Sequence, residues 1–558
     1  MIPTKRMDGL NVLRFMTREH RQPDDGTAMN RHEFFQRAGG GSAPATLARP
    51  EEDLAPLKVQ AGLEVYAEPL DRRRVAHLLR RTSFGANPGR VNAWTGASVE
   101  EVVDALVDEA RAWPTPPTPT WALQAVPSGF NPDYATQNAL NMQEMRSTWI
   151  HSMYRRGLRE KMTLFWHNHF VTGVETYFHA QVAYSYLGTL RNYAVGNLKQ
   201  FVYDIGLEPA MLIYLDGNTN VKNAPNENYA RELMELFTLS PTGPDGEPNY
   251  TEDDIKEMAR ALTGWDVNMT ILRGVFREHL FDDGEKSFLG RTGSFGYDDV
   301  VEILFEERAE AIAHFISRKL YQEFVYAAAD ETIVGELATI FLEHDFQIAP
   351  VLRALLKSAH FFDDQVIGAR IKSPLEMMVG MMIEMHDEPH PDSFPLWAAS
   401  GLHLDQQLLS PPNVAGWPGH RSWITTASVT TRWFTTNLLI FSPRELTPVD
   451  LKPLAAELHD PNDPLAVFHL PLKMAEHFSP VPVETLDIAT LEEDFGGDLV
   501  GFPIPEEILN GPAYAQNLAK LFLNGAPWYE WSLENEGANT RLRGFLRLLS
   551  AFPEFHLT

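Results

Sequence analysis

The sequence predicts a mainly α protein, a large multi-helix globular domain with long loops and one short β-hairpin. Two observations favour this fold class. Beyond residue 70, apolar residues recur at the three- and four-residue spacing of a buried helical face, and capping signatures precede several of these runs. Runs that alternate apolar and polar residues are scarce, and the best of them, at residues 268–278, is where the hairpin is predicted.

Helices can be placed in order along the chain. The first has an apolar face formed by Val75, Leu78 and Leu79. Ser98, with Glu101 three residues later, forms a capping box that opens the second, and Thr251 caps a later one. Further helical patterns cover residues 307–324, 331–343, 349–358 and 375–382.

Composition divides the chain into four parts. Residues 1–63 have few apolar side chains and a glycine-rich stretch, so a flexible tail is predicted there. Residues 64–445 form the predicted main helical domain. Residues 446–510 are acidic and rich in proline and glycine, which predicts an irregular insertion, and residues 511–558 are predicted as C-terminal helices packing on the main domain.

Residues 30–39 look like a twin-arginine export signal in which only the second arginine, Arg31, is kept. Such a signal needs an apolar segment after it, but here glycine, proline and the charged residues 49–53 follow. A degenerate signal and a plain tail both fit this pattern.

The composition excludes several kinds of chemistry. The 558 residues include 47 Lys plus Arg, 75 Asp plus Glu and no cysteine, for a net charge of −28. Without thiols there is no disulfide, cysteine-ligated zinc, iron–sulfur cluster or cysteine nucleophile, so a metal would need His, carboxylate or amide ligands. The acidic excess argues against nucleic acid as a partner, and no apolar run is long enough to predict a membrane span.

Two segments combine histidines and carboxylates. His167 and His169 could both ligate a metal from an extended segment or a helix end, whereas on a regular helix they point about 200° apart. Glu232 and Glu235 fall with Asn228 on one helical stripe, where paired carboxylates suit metal ligation or acid/base chemistry. The predicted metal ligands are His167, His169, Glu232 and Glu235, and the predicted catalytic residues are Glu232, Glu235 and Arg231. The alternatives are a hydrogen-bonded core histidine and a structural ion-pair network neutralised by Arg231.

Two loops could present substrate-binding groups. Residues 276–290 carry acids and His279 before a glycine turn and a lysine, and residues 411–424 combine proline, glycine and aromatic residues. Flat aromatic faces beside charged donors suit sugars or other polar ligands. The predicted substrate-binding residues are Asn228, Lys286, Trp417, His420, Arg421 and Trp423. The alternatives are a solvated first loop and tryptophans that pack the second loop onto the helices.

Several of these motifs, in this order, resemble a bacterial family known as domain of unknown function 1800. They are Phe-Trp-His-Asn-His-Phe at 165–170, Asn-Glu-Asn-Tyr-Ala-Arg-Glu-Leu-Met-Glu-Leu at 226–236, Thr-Gly-Trp at 263–265 and Gly-Trp at 416–417. The resemblance runs from residues 77–85 to 541–555 and implies a large, mostly helical bacterial protein, often exported. It therefore favours a periplasmic or extracellular location, with the cytoplasm as the alternative because the signal is degenerate.

The chain departs from the family pattern at two positions. Phe281 and Phe237 stand where many members have histidine. If those histidines are ligands in relatives, this site has lost two of them, and the four predicted metal ligands remain.

Two hypotheses follow. The first is a metal-dependent enzyme with Zn, Mn or Fe, a hydrolase first and an oxidoreductase second, acting on a polar extracytoplasmic substrate such as a saccharide. The second is a noncatalytic binding or scaffold protein whose His, Glu, Asn and Arg motifs form a buried structural network.

Overall fold

A computed structural model describes residues 54–127, 131–243, 246–386, 388–442, 448–460, 462–486, 488 and 503–558. Most of the predicted tail, including the signal-like residues 30–39, lies outside these ranges. The described part is mainly α, as predicted, with 22 α-helices and two small antiparallel sheets. None of its helices combines the length and the apolar character that crossing a membrane requires.

The first half of the chain forms ten helices and a π-helical segment. They are α1 (Arg72–Thr82), α2 (Pro88–Trp94), α3 (Val99–Ala112), α4 (Pro132–His169), α5 (Val174–Tyr177), α6 (Ala180–Asn192), α7 (Leu198–Gly206), α8 (Pro209–Tyr214), α9 (Asn228–Glu232), the π-helix Leu233–Thr238 and α10 (Glu252–Ala261). The second half adds α11 (Tyr297–Glu307), α12 (Ala309–Phe324), α13 (Glu331–Glu343), α14 (Ile348–Lys357), α15 (Pro374–Glu384), α16 (Phe394–His403), α17 (Thr426–Phe441), α18 (Lys452–Leu458), α19 (Ala466–Phe478), α20 (Glu506–Leu509), α21 (Ala513–Leu523) and α22 (Ala538–Leu549).

The long helix α4 organises the core. It packs against α3, α6, α15 and α16, and its Trp149, Met162 and Trp166 are almost fully buried. The helix kinks at Gly157, whose φ of 43° is accessible to glycine at little cost. Below this kink the helix continues to His169, so the predicted His-x-His pair lies on the last helical turn.

Two hairpins are present where one was predicted. Strands β1 (Trp265–Asn268) and β2 (Arg273–Phe276) form the predicted one, slightly displaced towards the N-terminus. Strands β3 (Lys286–Phe288) and β4 (Arg291–Gly293) form the second. Their two-residue turn, Leu289 and Gly290, has φ of 50° and 86°, the mirror-image geometry that matches strand twist. Leucine gives little signal for such a turn, which explains why the pattern missed it.

The helix predicted over 307–324 is present as α12, which begins after the non-helical Arg308. Within the predicted tail, the Gly62 carbonyl accepts a hydrogen bond from the backbone N–H of His360, and the carbonyl of Glu64, the first residue beyond the tail, accepts one from Ala359. The insertion predicted as irregular contains α18 and α19, whose apolar faces are buried, although residues 489–502 lie outside the described ranges.

Candidate functional site

His167 lies at the end of α4 and is fully buried. The backbone N–H of Leu409 donates to its Nε2 at 3.1 Å, so the ring proton is on Nδ1, which donates to the Tyr186 hydroxyl at 3.1 Å. The Tyr186 hydroxyl in turn donates a hydrogen bond to the Phe170 carbonyl at 2.7 Å. Burial lowers the pKa of His167 to about 3, so the ring is neutral with both nitrogens engaged.

Asn168 ties the same turn to the loop at residues 411–424. Its Oδ1 accepts the backbone N–H of Trp417 at 2.7 Å, and the Trp417 ring packs edge-on against His167 at a centroid distance of 5.5 Å. Gly416 precedes it with φ of 81°, and a Cβ there would lie 2.3 Å from Asn168 Oδ1. Trp417 is therefore buried as part of the core, the alternative interpretation of this loop.

His169 connects α4 to the π-helix. Its Nε2 donates to the Phe237 carbonyl at 2.9 Å, while its Nδ1 is buried without a hydrogen-bond partner among the described residues. Burial and the charge of Lys319 hold its pKa well below the usual range. Of the two histidines, only His169 keeps an unused lone pair, and aromatic rings, including Phe170 at a centroid distance of 4.5 Å, enclose it.

The carboxylate motif spans a change of helix type. After Glu232 the backbone widens into the π-helix, where Leu239 N–H bonds to Met234 O and the Thr238 hydroxyl bonds to Leu233 O, both five residues back. The widened turn changes the angle between side chains, so the α-helical stripe predicted through Glu235 ends at Glu232. Short π-helical segments recur at functional sites.

Glu232 and Glu235 are half-buried, and neither carboxylate accepts a hydrogen bond from the described residues. Burial and the negative charge of Glu235 raise the pKa of Glu232 to about 7, while Arg231 opposes the rise. The negative charge of Glu235 also acts on Tyr250, since burial and this charge raise the pKa of the Tyr250 hydroxyl. Tyr250, which directly precedes the helix cap Thr251, was not among the predicted site residues.

Two neighbouring predicted residues have structural partners. Arg231 forms a two-pronged ion pair with Glu252 at 2.8–2.9 Å and a further contact with Glu227 at 3.1 Å. Asn228 is exposed and its amide donates to Asp216 at 3.2 Å. The Arg231 guanidinium thus links α9 to the start of α10. It acts on Glu232 through its charge and not through a hydrogen bond.

Lys286 lies apart from this group. Its ammonium donates to the Asp282 carbonyl and sits 4.6 Å from the Phe281 ring centroid. The Asp282 carboxylate in turn accepts from Arg260 at 2.8 Å. These contacts hold the loop on α10, and the structure shows no contact between Lys286 and the other predicted residues.

The remaining loop residues differ in exposure. Trp423 is buried and Arg421 is exposed. His420 is half-buried, and both of its ring nitrogens are shielded from solvent without a hydrogen-bond partner among the described residues. Burial, with the charges of Arg370, Arg421 and Arg81, lowers the pKa of His420 to about 4. The ring is therefore neutral in a cationic environment.

The predicted metal ligands do not form a joint site. Within the described ranges, three or more His, Asp or Glu ligand atoms approach within 4.8 Å of one another at one place, His459, Asp463 and His469. His167 would also have to give up a hydrogen bond to bind a cation. The four-residue metal set stays a prediction from the sequence, and the geometry gives it no support.

The His459 cluster was missed because the segment was interpreted as an irregular acidic insertion. Its spacing, two histidines around one aspartate within eleven residues, was the available signal.

Comparison with known families finds one match. A family model described as "Protein of unknown function (DUF1800)" matches residues 77–530. Searches of curated proteins and of solved structures give no match.

Proposed function

The chain belongs to the DUF1800 family, whose description names no activity, and from the side-chain geometry we propose that it is a hydrolase. The observation that carries the proposal is Glu232, a half-buried carboxyl with a pKa of about 7 beside the second carboxylate of Glu235. Such a group populates both protonation states near neutral pH, as general acid/base catalysis requires. A polar extracytoplasmic substrate such as a saccharide is part of the proposal.

The proposed reaction uses the two carboxyl groups in opposite roles. Glu235, as the carboxylate, accepts a proton from water while the water oxygen bonds to the electrophilic carbon of the substrate. Glu232, as the acid, gives its proton to the leaving oxygen as the bond to that carbon breaks. One water is consumed, and solvent carries a proton from Glu235 back to Glu232.

The proposed reaction uses no metal ion. The four predicted ligands are not among the residues whose ligand atoms converge, and both ring nitrogens of His167 are already hydrogen-bonded. Oxidation, the second reaction class predicted from the sequence, needs a redox-active group for which two glutamates provide no complete site.

The test compares substrates that differ in leaving group. Nitrophenyl glycosides and nitrophenyl esters identify the bond that is cleaved, and the matching alkyl compounds, whose leaving oxygens need a proton, then measure acid catalysis. We expect Glu232→Gln to lower kcat on the alkyl compounds by ~10²–10⁴-fold and on the nitrophenyl compounds by much less. Wild-type kcat on the alkyl compounds should fall as pH rises above about 7, since Glu232 then loses its proton.

Glu336→Gln, an exposed carboxylate on α13, is the matched control and should leave kcat unchanged. The hydrolase proposal is wrong if wild type hydrolyses neither panel faster than the Glu232→Gln/Glu235→Gln double variant.

The scaffold alternative is favoured by one observation, the fully satisfied network of His167, Tyr186 and Leu409. In a scaffold that extends this network to Glu232, the carboxylate would stabilise the fold. The two functions therefore predict opposite effects of Glu232→Gln at pH 8: higher stability if the carboxylate is held at a cost for catalysis, lower stability if it is a structural partner.

A further inference from the structure

A cluster of two histidines and one aspartate lies outside the site described above. His459 directly follows α18, Asp463 lies in the connecting loop and His469 is on the first turn of α19. Their ligand atoms lie within 4.8 Å of one another, and the two imidazole centroids are 5.5 Å apart. Three parts of the backbone thus converge on one point.

The aspartate presents a single oxygen to both rings. His459 Nε2 donates to Asp463 Oδ2 at 2.6 Å, and His469 Nδ1 donates to the same atom at 2.7 Å. The other oxygen, Oδ1, accepts the backbone N–H of Leu465 at 2.8 Å, which fixes the carboxylate in the loop.

We propose that His459, Asp463 and His469 bind a divalent transition-metal cation, zinc first, through His459 Nε2, His469 Nδ1 and Asp463 Oδ2. The two imidazole N–H protons that now point at the aspartate oxygen move to the opposite ring nitrogens, leaving lone pairs directed at the cation. Two imidazoles and one carboxylate are a ligand set that zinc accepts.

The geometry requires only a small adjustment. Ligand atoms ~2.0–2.1 Å from a tetrahedral zinc lie ~3.3–3.4 Å apart, so each nitrogen must retreat from Oδ2 by less than ~1 Å. The side chains of His459, His469 and Asp463 are 19%, 42% and 21% exposed, which leaves the fourth coordination position open to water. A cation here would join the end of α18 to the start of α19.

The chain offers a matched control. On α18 the carboxylate of Glu457 pairs with His386 Nδ1 at 2.7 Å, a histidine–carboxylate contact of the same length without a third ligand. His386→Ala therefore removes an equivalent hydrogen bond near the cluster but no proposed ligand.

The experiment uses full-length protein without a histidine tag, stripped with chelator and titrated with zinc by calorimetry at pH 7.5. Cobalt absorption serves as a second probe of tetrahedral coordination. We expect one saturable site, at least ~10-fold weaker binding in His459→Ala and in His469→Ala, and unchanged affinity in His386→Ala. Asp463→Asn keeps the size of the loop side chain and should weaken zinc binding while the protein stays folded by circular dichroism.

Absence of a saturable site in wild type would overturn the proposal. So would zinc binding that survives in the His459→Ala/His469→Ala double variant. Zinc binding lost in Glu232→Gln/Glu235→Gln but kept in the cluster double variant would place the cation at the carboxylate pair instead, and would also overturn it.

Discussion

The end of α4 and the π-helix face each other across one hydrogen bond, from His169 Nε2 to the Phe237 carbonyl, yet they treat polar groups in opposite ways. Around His167 both ring nitrogens have partners. Around Glu232 neither of two carboxyl groups has a hydrogen-bond donor from the described residues, and the negative charge of Glu235 disfavours the ionised form of Glu232.

The difference separates polar residues that maintain the fold from those that cost stability. A satisfied buried network fixes the position of its helices, as His167 does for α4, α6 and the Leu409 segment. Like charges without hydrogen-bond partners destabilise the fold, so a protein keeps them where function requires them. They are therefore the better marker of a functional site. On this reasoning His167 is a structural residue, and the proposed function assigns the chemistry to the motif with the two glutamates.

The largest expected effect lies on the structural side. His167→Ala removes the acceptor of the Leu409 N–H and leaves a cavity against Trp149 and Trp417. We expect a loss of about 3–4 kcal/mol in the free energy of unfolding, measured by urea denaturation at pH 7.5. His167→Phe keeps much of the ring volume and should cost about 2 kcal/mol, since only the hydrogen bonds are lost.

His403→Ala, an exposed histidine at the end of α16, controls for helix propensity and should change stability by less than about 0.5 kcal/mol. A His167→Ala loss as small as that of His403→Ala would mean that the buried network does not maintain the fold, and the comparison between the two regions would fail.

A smaller effect of opposite sign is expected on the chemical side. Folded Glu232 keeps its proton to a pKa of about 7, whereas the unfolded chain releases it near pH ~4.3. The folded state therefore binds more protons between these values, and this residue's contribution to stability is present at low pH and lost as pH rises towards 7. Glu232→Gln should remove that slope and, after allowance for solvent screening, raise stability by about 1 kcal/mol at pH 8.

The measurement is the free energy of unfolding from pH 4 to pH 8 in wild type, Glu232→Gln and the exposed control Glu336→Gln. The Glu336→Gln curve should run parallel to the wild-type curve, and the wild-type and Glu232→Gln curves should converge near pH 4. A Glu232→Gln protein that is less stable at pH 8 would support the scaffold function and contradict the hydrolase.

Much of the fold could be predicted because helical periodicity and caps are local. The helix cap at Thr251 and the helix at Glu331–Glu343 are present as predicted, since short-range hydrogen bonds and apolar spacing determine both. The second hairpin and α19 were missed, because a leucine in the turn and a proline within the helix weaken the local signal while burial overrides it.

Less of the candidate site could be predicted, because it depends on contacts between distant segments. Residue types at 167 and 232 marked both positions as candidates, but the groups that set their environments, Tyr186 and Leu409 for His167 and Tyr250 for Glu232, lie elsewhere in the chain. The π-helix also changed the helical spacing on which the predicted stripe relied. Periodicity assumes one helix type and cannot foresee such a change.

The smallest expected effect concerns Arg231, which both forms structural ion pairs and acts through its charge on Glu232. Its ion pairs with Glu252 and Glu227 are largely solvent-exposed, so Arg231→Lys should cost no more than about 0.5 kcal/mol. Its positive charge lowers the pKa of Glu232, so Arg231→Gln should move the basic limb of the kcat profile to higher pH by less than ~1 unit, while Arg231→Lys should leave it in place. Arg291→Gln removes an exposed arginine paired with Glu306 and is the control. An unchanged basic limb in Arg231→Gln would show that Glu232 does not set it, and the acid role would then belong to another group.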